Sequence, residues 1–122
     1  MPYEDAGKTL LLNGLPSPLT LRLFSGNPAT GGAEVVGNGY AAQTASFSAA
    51  GAVAPNERRL AADVDFGFST SGPWTVASHI GLYNGATLVA WDELAEPKTA
   101  NANTKIVFRV ASPDVRLFLT DF

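Results

Sequence analysis

The sequence predicts an all-β fold: an antiparallel β-sandwich or small jelly-roll of about seven to eight strands with one short N-terminal helix. Apolar residues recur at every second position in short runs. Clusters of Gly, Pro, Asn and Ser interrupt those runs about every ten residues. No strands alternate with long helical patterns, which sets aside a parallel α/β sheet. The 122 residues suit a single β-sandwich domain over 1–122, with 1–14 as its N-terminal helix or arm.

The helix is expected from Tyr3 to Leu12. Tyr3, Gly7, Leu10 and Leu11 fall near helical spacing, and Glu4 and Asp5 suit the dipole of a first turn. Gly14, Pro16 and Pro18 stop it. From Leu19 the period becomes two, with Leu19, Leu21 and Leu23 opposite Thr20, Arg22 and Phe24. Ser25 to Gly32 is a loop. Glu34, Val35 and Val36 form a short edge piece before the turn Gly37-Asn38-Gly39. Tyr40 to Phe47 alternates weakly, and Ser48 to Asn56 is a small-residue loop. Leu60, Ala62, Val64 and Phe66 predict one strand whose wet face carries Asp63 and Asp65. Ser69 to Pro73 is a turn. Trp74 to Tyr83 and Thr87 to Leu94 predict a hairpin closed at Asn84-Gly85. Ile106 to Val110 and Val115 to Leu119 are the last strands, joined by a turn at Pro113-Asp114.

Composition excludes several function classes. There is no cysteine, so a disulfide scaffold, a zinc ribbon and a thiol nucleophile are ruled out. The single histidine, His79, excludes a site built on two imidazoles. The net charge is −3, and the one adjacent basic pair is Arg58-Arg59. Without a basic stripe, no nucleic-acid partner is expected. No segment approaches the roughly 20 apolar residues of a membrane helix, and Met1 to Asp5 lacks the basic start of a signal peptide. No membrane partner and no cofactor are expected, and synthesis is placed in the cytoplasm.

Candidate chemistry is sparse. His79 as a catalytic base needs a nucleophile and an orienting acid. Ser78 adjoins it, but neighbours on a regular strand point to opposite faces. No nucleophile-elbow motif is present, so His79 reads as structural and no catalytic residue is assigned. Asp63 and Asp65 share a strand face roughly 7 Å apart, a spacing open to a hard cation or an acid–base pair. The acids and glycine of a calcium loop are missing, so a solvated face accounts for them and no metal ligand is assigned. Asp92 and Glu93 face opposite sides. Trp74 and Trp91 with Tyr83 and Tyr40 offer a sugar platform, against the plainer role of tryptophans as core anchors. Gly31-Gly32 and Gly37-Asn38-Gly39 lack the lysine and the strand–helix context of a phosphate cradle.

The order of segments is distinctive. The strand Leu19 to Ser25 leads to Gly26-Asn27-Pro28, then Ala33 to Gln43 (AEVVGNGYAAQ). Trp74 to Tyr83 (WTVASHIGLY), Leu88 to Leu94 (LVAWDEL) and Pro97 to Asn101 (PKTAN) follow. This order resembles a family of small tailed-phage virion proteins, some labelled tail fibre proteins and others similar to capsid decoration or cement proteins. Gly37 to Gln43 and Trp74 to Tyr83 carry most of the resemblance, which runs from about Leu10 to Leu119. The family's usual arginine after Tyr-Ala is Ala42 here, and its late Gly-Asp is Ala102-Asn103.

The resemblance implies a non-enzymatic virion protein. The leading expectation is a head decoration or cement protein that stabilises the capsid through inter-subunit contacts, with a tail-fibre or spike module as runner-up. A carbohydrate-binding module for host-surface recognition is the alternative of another class. The implied partners are the major capsid protein or other virion proteins, with a homo-oligomer expected and a trimer favoured. The apolar ends suggest that Tyr3, Leu10, Leu11 and Phe122 form an interface.

Overall fold

A computed structural model describes residues 14, 18–48, 57–110 and 115–118. Eight strands run through them: β1 (Leu19–Phe24), β2 (Gln43–Ala45), β3 (Glu57–Arg59), β4 (Val64–Phe68), β5 (Ala77–Asn84), β6 (Thr87–Lys98), β7 (Lys105–Phe108) and β8 (Arg116–Phe118). They form a four-stranded sheet in the order β2-β1-β5-β6 and two strand pairs, β3-β8 and β4-β7. Every strand pairing is antiparallel, as expected of an all-β sandwich. The expected helix from Tyr3 to Leu12 lies outside the described residues.

The alternation of β1 sets the layers. Leu19, Leu21 and Leu23 are buried, and Leu21 and Leu23 stand opposite Leu82 and Ile80 of β5. This face meets Val64 and Phe66 of β4 and Ile106 and Phe108 of β7 in one core cluster. Phe66 and Phe108 pack edge to face, 6.0 Å between centroids. Residues Arg22, His79, Gly81 and Tyr83 fall on the opposite, outer face by the same register.

Trp74 fastens one end of the sandwich. It is 2% exposed, and its indole N–H donates to the Asn38 carbonyl at 2.9 Å. Its backbone N–H donates to Ala100 O, and its carbonyl accepts from the Thr99 hydroxyl, both at 2.9 Å. Tyr40 meets the indole edge-on at 5.5 Å and stacks on Phe66. Gly37 makes the approach feasible, because a Cβ there would overlap the indole and come within 3.0 Å of Trp74 Cα. The next residue, Thr75, donates its N–H to Val36 O at 3.0 Å and so binds the two segments backbone to backbone.

Tyr40 also completes the edge of β1. β2 covers that edge only from Leu19 to Leu21. Beyond it, Leu23 N–H donates to the Tyr40 hydroxyl at 3.1 Å, and Leu23 O accepts from Val35 N–H. The hydroxyl in turn donates to Glu34 Oε2 at 2.7 Å. Burial, and then this bond to a carboxylate, push the Tyr40 pKa well above the usual 10.0.

Four elements differ from the sequence expectation. The strand expected over Leu60 to Phe66 begins only at Val64, as β4; β3 ends at Arg59, Leu60 forms an isolated bridge, and a bend follows it. Leu60 bridges Phe47, while Val64 joins β7, so the chain changes partners between them. The alternation expected from Trp74 is also broken. Ala77 is buried and Val76 is half exposed, because an irregularity in the β5–β6 register falls between Ala77 and His79. The hairpin forms, but its two-residue loop is Gly85-Ala86, one position later than Asn84-Gly85. Of these two loop residues only Gly85 has a positive φ, +62°, which matches a turn of type II′ with glycine first. Finally, β6 runs to Lys98 rather than Leu94. The basic pair Arg58-Arg59 is structural as well. Arg58 is buried over the Phe47 ring and donates to Ser48 O, and Arg59 pairs with Glu57 at 2.9 Å.

Gly37→Ala is expected to lower stability by about 1–3 kcal/mol, the usual cost of forcing a methyl into a packed site. Thermal denaturation checks it, and an unchanged midpoint would show that the Trp74 contact tolerates the methyl.

Candidate functional site

The outer face of the four-stranded sheet gathers the polar and aromatic residues that the core does not use. Gly81 lies at its centre, opposite Arg22 of β1 and Trp91 of β6. A Cβ on Gly81 would come within 3.0 Å of Tyr83 Cε1 and 3.1 Å of Phe24 Cε2. The missing side chain is therefore the recess in which those rings lie. Phe24 and Tyr83 stack at 6.0 Å, and Phe24 is only 6% exposed although it stands outside the main core. The Arg22 guanidinium covers Tyr83 at 5.5 Å and is held by Glu34 at 3.2 Å. One end of the face is thus fixed through Tyr40, Glu34 and Arg22.

The other end carries Ser78, His79, Trp91 and Glu93. Against the expectation of opposed neighbours, the Ser78 hydroxyl lies 2.8 Å from His79 Nδ1. Ser78 sits at the irregularity, between Ala77 opposite Lys98 and His79 opposite Glu93, where the regular pairing that keeps neighbours on opposed faces is interrupted. Nδ1 is taken up by the Ser78 hydroxyl, and Nε2 faces Glu93 Oε2 at 3.7 Å. The Trp91 ring lies 6.1 Å from the imidazole, tilted by 41°. His79 is mostly covered, whereas Glu93 is 75% exposed.

The order serine, histidine, carboxylate is that of a nucleophile relay. The carboxylate stands beyond hydrogen-bond distance and largely in water, so it does not lock the imidazole as a buried orienting acid would. What the arrangement offers is an exposed aromatic face with a held imidazole and an exposed carboxylate at its rim.

The residues that the sequence singles out divide between faces. Trp74 belongs to the core, so the three-residue platform of Trp74, Trp91 and Tyr83 is split. Trp91 and Tyr83 share the outer face, where Trp91 is 45% exposed and Tyr83 half-buried. Tyr40 is packed against the core. Tyr3, Leu10, Leu11 and Phe122 lie outside the described residues. Sequence reasoning missed the Ser78–His79 contact. Its available signal was Pro97 in β6, since a residue without an N–H marks an irregular ladder.

Asp63 and Asp65 are each taken up by a base across the β4–β7 pair. Asp63 accepts from Arg109 at 3.0 Å and from Val110 N–H at 2.8 Å. Asp65 accepts from Lys105 and from Gly67 N–H, both at 2.8 Å. Among the described residues, no group of three or more His, Cys, Asp or Glu is placed to hold a metal ion. The side-chain bonds from Arg109 and Lys105, then the backbone bonds, hold both carboxyls below the usual 3.8. Lowered folded-state pKa values make this contribution present above the unfolded value and lost as pH falls through the folded one. Carboxyl NMR titration is expected to place both groups below 3.8. Lys105→Ala should move Asp65 upward and leave Asp63 in place, and an ordinary Asp65 value in the parent protein would remove the pair.

Comparison with known proteins gives one family. The family model described as Podophage GP4 fiber I protein gp80 matches residues 13–116. No curated protein and no solved structure matches. The match takes in the Gly37 to Gln43 and Trp74 to Tyr83 segments that the structure interlocks, and all the strands from β1 to β7. The chain belongs to the podophage GP4 fiber I protein gp80 family and is a structural protein of a tailed-phage virion.

Proposed function

We propose that this protein is a non-enzymatic fibre component of the virion, a small rigid module held among other virion proteins. The observation that carries the reading is the match of residues 13–116 to a family described as a fibre protein. That description moves the weight from head decoration, the leading expectation of the sequence, to the runner-up fibre module. The fold is suited to either place, since a cysteine-free sandwich assembles without redox help. Its outer strand β6 is twelve residues long and stands at the edge of the four-stranded sheet. Sheet edges of this kind are where neighbouring chains abut or pair. The site chemistry supports a binding role, because Glu93 leaves the imidazole without a locked acid.

Assembly completes the proposal. Symmetric repetition of one small domain favours a homo-oligomer, with a trimer the form in which three copies share one axis. Tyr3, Leu10, Leu11 and Phe122 are the residues proposed for that contact. Dissociated virions, separated into heads and tails, locate the chain with a specific antibody. The fibre reading expects the signal with the tail fraction. Retention on heads after the tails are removed would instead favour the capsid decoration role.

A further inference from the structure

We propose that the Trp91 end of the outer face binds a neutral or amino saccharide. This goes beyond the fibre reading and does not depend on where in the virion the chain sits. The buried and exposed tryptophans make the first argument. Trp74 is 2% exposed and satisfied by Asn38, whereas Trp91 presents 45% of its surface to water. Among the described residues, Trp91 is the one large apolar side chain of the outer face that is strongly exposed. Its ring matches the flat, C–H-rich face of one pyranose.

The rim supplies the second argument. A sugar stacked on an aromatic ring needs hydrogen-bonding groups at the ring's edge, because its hydroxyls leave water on binding. Glu93 shares the outer face with Trp91 and is 75% exposed, so its oxygens are open to paired hydroxyls or to an ammonium. The His79 ring is held by Ser78 at 2.8 Å, which turns its Nε2 edge toward the same opening. These side chains rise from paired strands rather than from a loop, which holds their geometry before any ligand arrives.

Charge sets the ligand class. On this face Arg22 is committed to Glu34 and to the Tyr83 ring. The rim of Trp91 carries the exposed Glu93 carboxylate, on a chain of net charge −3. Acidic saccharides are repelled there, and neutral or amino saccharides are accepted.

The two indole N–H signals of a 15N-labelled protein test the proposal directly. Chitotetraose and maltohexaose serve as the amino-sugar and neutral probes, with oligogalacturonate as the acidic counterpart. Titration with at least one of the first two is expected to shift the Trp91 indole saturably, with Kd on the order of 1 mM, and to leave the Trp74 indole in place. Trp91→Ala should abolish saccharide binding seen by saturation transfer, and Glu93→Gln should weaken it roughly tenfold. The unmoved Trp74 signal in each variant reports that the fold is intact. A Trp91 indole that responds to neither probe, or responds as strongly to oligogalacturonate, would overturn the proposal. Fractionation of virions bears on the fibre reading alone, so the two ideas fail separately.

Discussion

The packing of the Trp74 indole on Gly37 decides how the rest of the sandwich is held. An indole buried this deeply needs both a gap in the opposing backbone and an acceptor for its N–H. The segment Gly37-Asn38 supplies both, the gap at Gly37 and the acceptor at the Asn38 carbonyl. The same contact brings Tyr40 against the indole and Phe66, and its hydroxyl then reaches the uncovered edge of β1. From there the chain of bonds continues outward through Glu34 to Arg22. A core contact and the outer face are thus parts of one connected network.

That connection gives the family resemblance a physical meaning. The two segments that define it are far apart in sequence and are in contact in the fold, joined by the Trp74 indole N–H to Asn38 O at 2.9 Å. Each is spelled by what the contact needs: a glycine with no Cβ, a carbonyl at the right position, a tyrosine whose two ends are both used. Such a fastening holds the two segments as one rigid unit.

The strands were legible wherever one face is buried and the other wet. Leu19, Leu21 and Leu23 predicted both the bounds and the inward face of β1. The hairpin was legible from its glycine, and only the placement of the loop was off by one residue. Alternation failed where the chain changes partner, between Leu60 and Val64, since apolar residues on both sides of the bend keep the same period. It failed again at Ala77 to His79, where the register irregularity lies in the pairing with β6 and not in the residues of β5 themselves. The site shared this fate. Trp91 and Tyr83 were visible as aromatics, and alternation alone already set Trp74 with Ile80 on the face away from Tyr83, but the Ser78–His79 contact lies at that irregularity. Arg58 of the basic pair is buried for a similar reason: its partners, the Phe47 and Ser48 carbonyls, are remote in sequence.

Native-state hydrogen exchange at Trp74 and Thr75 tests the fastening most directly. If the Trp74–Gly37 contact organises the domain, the Trp74 amide, the Trp74 indole N–H and the Thr75 amide exchange only through the global unfolding that releases the β1–β5 ladder. Exchange of these groups through a local opening, at a free energy well below that of the ladder, would contradict the account.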